Sequence, residues 1–367
     1  MKIVTIVGAR PQFIKAAPVS HAFDSRADVE EILAHTGQHF DKNMSDVFFS
    51  ELSIRPPKYN LEIGGGTHGQ NTGRMIEAIE TVLVSEKPDW VLVYGDTDST
   101  LAGAIAAAKL HVPIAHVEAG LRSYNRSMPE EMNRKVADHL AALLLTPNDG
   151  ALRTLEAEGI RGEMVRNVGD VMFDATLHFG AKAEEQSTIL DVLGCARRGY
   201  VLATVHRQEN TDDPVRLERI LKAFRHFECP VVLPLHPRTR KRIDTYALEL
   251  SPNILVTDPV GYLDMLMLKK NASLIATDSG GVQKEAYFHG VPCVTLRDET
   301  EWCELIELGW NVLASPDAPD FLDKLLQQRG PGRLDASPYG SGQAAVSVVK
   351  AIMSSRLSRN LPWAYSS

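Results

Sequence analysis

The stretch of sequence that decides the fold runs from residue 89 to residue 118 and reads DWVLVYGDTDSTLAGAIAAAKLHVPIAHVE. The runs DWVLVYGD and VPIAHVE are short, apolar and rich in β-branched residues, which predicts two buried strands. The alanine-rich segment between them, STLAGAIAAAKLH, has apolar residues at helical spacing and predicts a helix. Two strands joined by a helix in this way are typical of a parallel sheet.

The same alternation extends along both halves of the chain. In the first half, further strands are predicted at KIVTIV (2–7), EILAHT (31–36) and ALLLTP (142–147). The pattern pauses over residues 177–198 and restarts with strands predicted at YVLATVH (200–206), PVVLPLH (230–236), NILVTD (253–258), SLIATD (273–278) and PCVTL (292–296). We therefore predict an α/β fold with two doubly wound, Rossmann-like domains and a central cleft, over residues 1–176 and 177–340. The apolar run GQAAVSVVKAIMSSRLSRN predicts a terminal helix within residues 341–367.

The composition limits the classes of function. A chain of 367 residues exceeds the usual size of one core, and a net charge of −8 disfavours nucleic acid or an anionic membrane as partner. No membrane-spanning run and no signal peptide are visible, and the four cysteines lack a CxxC spacing. We therefore expect a cytoplasmic protein with reduced thiols. No HExxH sequence or cluster of histidines and cysteines is present, so we expect no tight metal site.

Polar segments follow the predicted strands. They are GARPQFIK (8–15), GDTDST (95–100) and EAGLR (118–122) in the first half, and HRQEN (206–210) and TDSGGVQKE (277–285) in the second. Because ligands of doubly wound sheets bind beyond the carboxyl ends of the strands, this polar edge is the predicted site.

The segment TDSGGVQKE has the features of a phosphate-binding turn. Gly280 and Gly281 allow backbone amides to approach a ligand, and the helix that begins beside Ser279 adds unpaired N–H donors and a positive dipole end. Glu285 lies one turn further on, where it could accept a hydrogen bond from a ribose hydroxyl. The alternative is a plain strand–helix turn with a serine cap.

GARPQFIK is the matching segment of the first half. Pro11 suits the first position of a helix, and Arg10 and Lys15 flank the helix start. Arg10 is either an anion ligand or a surface charge. The Rossmann fingerprint GxGxxG is missing, which argues against a nicotinamide-dependent enzyme. Together, the two helix starts suit a diphosphate.

The acidic residues of the predicted edge suit a reaction that moves protons. Glu118 stands where a buried strand should end, and Glu130 opens a helical pattern shortly after it. Asp96 also stands at a strand end, whereas Asp98 is better interpreted as the cap of the following helix. His206 ends another strand and is either functional or a core histidine.

These segments together resemble the motifs of the non-hydrolysing UDP-N-acetylglucosamine 2-epimerases. GARPQFIK, GDTDST, HVEAGLRS, PEEMNR, VHRQEN, TDSGGVQKEA and SPYGSGQA follow the family order from residue 8 to about residue 345. The resemblance implies a glycosyltransferase-B type fold whose C-terminal helix packs back on the first domain. It also implies a homodimer that needs no cofactor and supplies N-acetylmannosamine units for bacterial surface polysaccharide, such as lipopolysaccharide.

The resemblance also implies roles for individual residues. The catalytic positions of the family match Asp96, Glu118, Glu130 and His206. The positions that bind the nucleotide diphosphate and ribose match Arg10, Lys15, Ser279, Gly280, Gly281 and Glu285. Arg122 and Arg134 are expected to be charge partners in the sugar pocket, and we count Arg122 among the substrate-binding residues.

The chain departs from the family pattern at three places. The loop between Glu118 and Pro129 is shorter, and Trp302 replaces an arginine near the uridine diphosphate. GQHFDKNMSD (37–46) differs in a segment that binds an activating substrate molecule in some members. The first two departures resemble members that act on UDP-2,3-diacetamido uronic acids. UDP-N-acetylglucosamine is thus the expected substrate, with such a uronate as the alternative.

The chemistry explains why these groups are needed. The hydrogen on C2 of a UDP-hexosamine is not next to a carbonyl, so we expect UDP to leave C1 as C2 loses its proton, giving a glycal. UDP then adds back while a proton arrives on the other face. This route needs an acid/base group near each face and cationic or N–H groups on the diphosphate. A UDP-sugar glycosyltransferase, a hydrolysing epimerase and a nucleotide-sugar sensor are the rival interpretations.

Overall fold

A computed structural model of the protein describes residues 1–38, 49–327, 330–333 and 335–355. The chain forms two compact units, one of Met1–His178 with the segment that begins at Ser337, and one of Phe179–Ala336. Each unit contains a parallel sheet wound in both directions from an inner strand. The predicted fold class of two doubly wound α/β domains is confirmed.

The described residues of the first unit form a seven-stranded parallel sheet with the order β3-β2-β1-β4-β5-β6-β7. Its strands are β1 (Lys2–Val7), β2 (Glu30–His35), β3 (Tyr59–Asn60), β4 (Trp90–Tyr94), β5 (Ile114–Val117), β6 (Leu143–Thr146) and β7 (Val165–Asn167). Because the winding reverses between β1 and β4, the carboxyl ends of these two strands form the place where ligands bind in sheets of this kind.

Helices connect these strands. They are α1 (Arg10–Asp24), α2 (His68–Glu86), α3 (Asp98–Lys109), α4 (Pro129–Leu140), α5 (Asp149–Ala157) and α6 (Val171–Gln186), which contributes residues to both units. α3 is rich in alanine and contains Gly103 because it lies close to the sheet. A Cβ atom on Gly103 would lie 3.1 Å from a Val93 methyl carbon and 3.3 Å from an Ile6 side-chain carbon. A larger residue at this position would push α3 away from β1 and β4.

The described residues of the second unit form a six-stranded parallel sheet with the order β10-β9-β8-β11-β12-β13. Its strands are β8 (Val201–Thr204), β9 (Val231–Pro234), β10 (Ile254–Thr257), β11 (Leu274–Thr277), β12 (Cys293–Thr295) and β13 (Asn311–Leu313). The winding reverses between β8 and β11, so the segments that follow these strands lie side by side.

The helices of the second unit pack on this sheet. They are α7 (Ile189–Leu193), α8 (Gln208–Thr211), α9 (Pro214–Phe224), α10 (Pro237–Thr245), α11 (Tyr262–Asn271), α12 (Gly280–Phe288), α13 (Cys303–Glu307) and α14 (Phe321–Leu326). The last helix, α15 (Ala344–Ser354), belongs to the first unit and packs against α1. The sequence predicted helix on to residue 360, and residues 356–360 lie outside the described part of the chain.

Candidate active site

The end of β4 presents the first predicted carboxylate. Asp96 follows Gly95, whose φ of +62° turns the chain away from the strand. An Asp96 carboxylate oxygen accepts a hydrogen bond from Arg134 at 2.6 Å, and the Asp96 carbonyl oxygen accepts one from the Asn133 side chain at 2.9 Å. The Asp96 side chain is 29% exposed, so it is fixed on one side and open to a ligand on the other.

The end of β5 presents the second carboxylate. Glu118 has a φ of +70°, a left-handed conformation that is unfavourable for a residue with a side chain. Its carboxylate lies 2.5 Å from the Lys15 ammonium of α1, and both side chains are nearly enclosed. A buried ion pair and a strained backbone at one residue are typical of functional sites rather than of sheet packing.

Gly95 brings these groups together. A Cβ atom at this position would lie 3.1 Å from the Lys15 nitrogen and 3.5 Å from a Glu118 oxygen. The missing side chain therefore leaves the space that the ion pair occupies. The structure thus places Lys15, Asp96 and Glu118 around one point at the carboxyl edge of the first sheet.

The loop before α4 is organised by Glu131. Its carboxylate accepts hydrogen bonds from the Ser123 and Tyr124 amides at 2.8 and 3.2 Å, and Arg134 lies 3.2 Å away. Burial opposes ionisation of Glu131, but the Ser123 hydrogen bonds and the Arg134 charge outweigh it and hold its pKa below the usual range. The preceding residue, Glu130, which is a predicted catalytic residue, is partly exposed on the first turn of α4. Among the described residues, no hydrogen bond joins Glu130 to the other carboxylates of the site.

Arg122, a predicted substrate-binding residue, pairs with carboxylates other than the predicted ones. Its guanidinium is fully enclosed and donates to Glu158 at 2.8 and 2.6 Å and to Asp138 at 2.7 Å. A guanidinium enclosed in this way has no face left for a substrate, so Arg122 supports the loop from within. Arg134, the other expected charge partner, does pair with the predicted carboxylate Asp96.

Arg10 begins α1 and is partly exposed. The start of this helix is fixed by Gln12, whose side-chain oxygen accepts from the amides of Gly8 and Ala9 at 2.8 and 3.1 Å. The Gln12 side-chain nitrogen donates to the Tyr94 carbonyl oxygen at 2.9 Å. Gln12 therefore ties the helix that carries Arg10 and Lys15 to the end of β4.

In the second unit, Asp278 organises the end of β8. Its buried carboxylate accepts from the amides of His206 and Arg207 at 2.9 and 3.0 Å and from the Asn210 side chain at 3.0 Å. The His206 ring nitrogen Nδ1 lies 3.3 Å from the same carboxylate, and the His206 side chain is 41% exposed. His206 is therefore oriented by Asp278 and accessible to a ligand.

The start of α12 is as the sequence predicted in outline. Ser279 caps the helix by accepting from the Val282 amide at 3.5 Å, which is at the limit of a hydrogen bond. A Cβ atom on Gly280 would make only ordinary contacts, the nearest with the Trp302 indole nitrogen at 3.5 Å. Gly281 follows in the same first turn. This helix start is open enough for an anion to approach its amides.

Two lysines make close contacts at α12, one with Glu285 of the helix and one, Lys284 of the helix itself, with Trp302. Glu285 forms a buried ion pair with Lys269. Burial lowers the pKa of Lys269, and the charge of Glu285 opposes that shift. The Lys284 nitrogen lies 4.1 Å from the centre of the buried Trp302 ring, a close cation–π contact. The predicted ribose ligand Glu285 is therefore held in a fixed position rather than solvated.

The comparisons with known proteins identify the family of the chain. The family model for UDP-N-acetylglucosamine 2-epimerase matches residues 21–353. A UDP-2,3-diacetamido-2,3-dideoxy-D-glucuronate 2-epimerase of Pseudomonas aeruginosa is 52% identical, over 94% of this chain and 97% of the relative. The chain belongs to the UDP-N-acetylglucosamine 2-epimerase family. It is therefore an isomerase by family.

Further members of the UDP-N-acetylglucosamine 2-epimerase family match along their whole length. A UDP-N-acetylglucosamine 2-epimerase of Methanocaldococcus jannaschii is 41% identical, over 95% of this chain and 98% of the relative. A crystal structure of the M. jannaschii enzyme with UDP-GlcNAc and UDP superposes with a TM-score of 0.90 at 40% identity, over 96% of this chain and 99% of that chain. The two-domain fold is thus that of crystallised UDP-N-acetylglucosamine 2-epimerases.

In this member of the family, the cap of α3 differs from the prediction. Thr97, not Asp98, is the N-cap, because the Thr97 hydroxyl accepts from the Thr100 amide. Asp98 is instead buried. One of its carboxylate oxygens lies 2.7 Å from the His68 ring nitrogen Nδ1, and the other accepts a hydrogen bond from the Asn133 side chain at 3.2 Å. Thr97 and Asp98 both have side chains that can cap a helix, and the prediction from the sequence took Asp98 instead of Thr97.

Among the described residues, no group of three or more histidine, cysteine, aspartate or glutamate side chains could hold a metal ion. In the same part of the chain, no helix combines the length and the apolar character needed to cross a membrane.

Proposed function

We propose that the protein inverts C2 of a UDP-activated N-acetylated hexosamine by eliminating UDP from C1 and adding it back to a glycal intermediate. The observation that carries this proposal is the pair of carboxylates at neighbouring strand ends, Asp96 and Glu118. Glu118 is enclosed beside Lys15, and Asp96 is partly exposed beside Arg134. Two carboxylates in different surroundings are suited to different proton-transfer roles.

The proposed reaction proceeds in two balanced stages. One carboxylate takes the C2 proton as the C1–O bond breaks, and the bonding pair leaves with UDP while a C1–C2 double bond forms. UDP then adds to C1 as a proton is delivered to the opposite face of C2. Asp96, Glu118 and Glu130 are our candidates for these proton transfers.

The charge that develops on the departing diphosphate needs donors. We assign this role to Arg10, His206 and the helix start formed by Ser279, Gly280 and Gly281. The amides of a helix start and a cation both stabilise a phosphate whose negative charge grows in the transition state. Lys15 belongs to the same set, and Glu285 is our candidate for the ribose hydroxyls.

Two substrates are compatible with this chemistry. UDP-N-acetylglucosamine, converted to UDP-N-acetylmannosamine, is the substrate expected from the sequence. UDP-2,3-diacetamido-2,3-dideoxy-glucuronate is the alternative named by the relative at 52% identity, while a Methanococcus maripaludis relative at 50% identity is named a UDP-N-acetylglucosamine 2-epimerase homolog. Trp302, which lies beside Gly280, favours the uronate as the substrate, because it replaces an arginine of the family pattern. We expect the higher kcat/KM for the uronate, and a higher value for UDP-N-acetylglucosamine would reverse this choice.

We further propose a cytoplasmic homodimer that supplies sugars for a surface polysaccharide such as lipopolysaccharide. The four free cysteines fit a reducing compartment. α4 carries exposed apolar side chains at Met132, Val136 and Leu140, which are 62%, 40% and 38% exposed and share one face. A second copy of the chain would cover this face. Light scattering of the wild type and of Val136→Asp tests this, and a monomeric wild type would contradict it.

The test of the reaction is proton NMR in deuterated water with each UDP-sugar alone. We expect a mixture of two C2 epimers, with deuterium at C2 of the product and no dependence on added NAD. Retention of the original hydrogen at C2 would exclude the elimination route. Accumulation of UDP and free sugar would indicate a hydrolysing epimerase, and an unchanged substrate would favour a glycosyltransferase or a nucleotide-sugar sensor.

Matched variants connect this assay to the site. Asp96→Asn and Glu118→Gln should each slow the appearance of deuterium at C2. Glu77→Gln changes an exposed glutamate of α2 and should leave the rate unchanged. An undiminished rate in both carboxylate variants would remove these carboxylates from the proposed mechanism.

A further inference from the structure

His116 of β5 is a buried histidine with two hydrogen-bond acceptors. Its side chain is fully enclosed. The ring nitrogen Nε2 lies 2.7 Å from the Gly95 carbonyl oxygen, and Nδ1 lies 2.8 Å from a carboxylate oxygen of Asp138. A carbonyl oxygen and a carboxylate can only accept, so both ring nitrogens must donate. Both hydrogen bonds are therefore formed only when His116 is an imidazolium ion.

The surroundings of His116 balance that charge. The Asp138 carboxylate of α4 also accepts from the Arg122 guanidinium at 2.7 Å. Arg122 in turn pairs with Glu158, which follows α5. Burial opposes ionisation of Asp138, but the hydrogen bond and charge of His116 and the charge of Arg122 outweigh it and hold its pKa below the usual range. Positive and negative charges thus alternate along a chain of four side chains, three of them buried and the fourth, Glu158, 25% exposed.

This chain of charges contacts the backbone near both proposed acid/base groups, just before Asp96 and shortly after Glu118. His116 binds the Gly95 carbonyl oxygen, which belongs to the peptide bond that links Gly95 to Asp96. Asp138 accepts from the Gly120 amide at 3.2 Å, two residues after Glu118. The Gly95 α-carbon faces the Lys15–Glu118 ion pair. One buried network therefore fixes both strand ends.

We propose that His116 is a positioning residue, whose hydrogen bond to Gly95 sets the placement of the Asp96 and Glu118 carboxylates around the reacting sugar carbon. This inference rests on the function proposed above. It follows from the geometry that His116 does not contact the substrate, because its side chain is enclosed and both its nitrogens are occupied. Misplacement of a reacting group by about 1 Å can reduce a rate by about 10²-fold.

The variants His116→Gln and Asp138→Asn separate the hydrogen bond from the charge. A single side-chain amide cannot donate to both Gly95 and Asp138, so His116→Gln breaks the link that anchors the Gly95 carbonyl oxygen to Asp138. Asp138→Asn lets a neutral His116 accept at Nδ1 and still donate from Nε2 to Gly95. We expect kcat to fall about 10–100-fold in His116→Gln and less in Asp138→Asn, with the UDP dissociation constant within about twofold of wild type.

Trp90→Phe is the matched control. Trp90 is fully buried in β4, at the opposite end of the strand from Gly95, so its replacement lowers stability without touching the site. We expect Trp90→Phe to lower Tm and to leave kcat unchanged. A His116→Gln variant whose kcat falls no more than that of Trp90→Phe would overturn the proposal. An equal loss of kcat in His116→Gln and Asp138→Asn would overturn the assignment to the Gly95 hydrogen bond.

A second measurement does not depend on catalysis. Hydrogen–deuterium exchange of the backbone amides over residues 95–98 should be faster in His116→Gln than in wild type or Trp90→Phe. Unchanged exchange in this segment would overturn the positioning role. If wild-type protein fails to epimerise either sugar, the proposed function fails, while the exchange measurement still decides whether His116 fixes this strand end.

Discussion

The change Glu118→Gln isolates the ability of one buried side chain to take a proton. Glutamine has nearly the same size and can still accept a hydrogen bond from Lys15, which lies 2.5 Å from the native carboxylate. A positioned proton-transfer group contributes about 10²–10⁴-fold to a rate. We therefore expect kcat to fall by this factor, which corresponds to a barrier about 3–5 kcal/mol higher.

The same change also has a cost in stability that can be worked from the ion pair. Removing one partner from a buried pair costs about 3–5 kcal/mol when the other charge is left alone. Because glutamine retains the hydrogen bond to Lys15, we expect a loss of about 2–3 kcal/mol in the free energy of unfolding. The assay must therefore be run well below the Tm of the variant.

Glu86→Gln is the control for that loss. Glu86 is also a buried glutamate bonded to lysines, with Lys58 at 2.6 Å and Lys2 at 3.2 Å, but it lies at the end of α2, near the start of β1. We expect this variant to lose stability and to keep kcat. Steady-state kinetics, UDP titration and thermal unfolding on both variants give the answer. A Glu118→Gln enzyme that is destabilised yet retains kcat within about threefold would refute the acid/base assignment.

Three further predictions concern binding and acid stability. Arg10→Ala should weaken UDP binding by about 1.5–3 kcal/mol in calorimetry and also lower kcat, and unchanged affinity would make Arg10 a surface charge. Gly280→Ala should leave Tm unchanged or slightly higher, because its Cβ atom meets only ordinary contacts, but should weaken UDP binding if the diphosphate approaches this amide. Hydrogen bonds from Lys58 and Tyr59 hold the pKa of Glu86 at about 2. The contribution of Glu86 to the free energy of unfolding is therefore complete above its unfolded-state pKa and disappears as the pH falls toward 2. Because Lys58 is more than half exposed, we expect this contribution to be only about 1–2 kcal/mol at pH 6. The difference in unfolding free energy between wild type and Glu86→Gln should therefore shrink to near zero at pH 2. A difference that stays constant with pH would contradict this prediction.

Much of the fold could be predicted because long apolar strands alternate with helices. The central strands β1, β4 and β5 have buried, β-branched sequences and were predicted together with α3. The strands β3, β7 and β13 were missed. They have two or three residues each and lie at the edges of the sheets, where neither length nor an apolar run distinguishes them from loops.

The place of the candidate carboxylates in the fold could be predicted from the sequence, but their ion-pair partners could not. Strand ends identified Asp96 and Glu118, because in a doubly wound sheet polar residues at that edge are rarely needed for packing. The partner of Glu118 is Lys15, 103 residues away in the sequence, and no local pattern connects them. Arg122 shows the converse, because it is close to the predicted acids in sequence and yet is enclosed by Asp138 and Glu158. Proximity in sequence is a poor guide to ion pairs that join different strands and helices.

The placement of α15 has a consequence for the order in which the protein can mature during synthesis. The carboxylate of Asp174 accepts from the amides of Ala344 and Ala345 at 3.1 and 2.8 Å, and α15 packs against α1, the helix that carries Arg10 and Lys15. The ribosome releases these late residues only after the whole second unit has emerged. In a nascent chain, the side of α1 that α15 covers therefore stays uncovered until elongation is nearly complete. The first unit is translated first, but its structure is completed last.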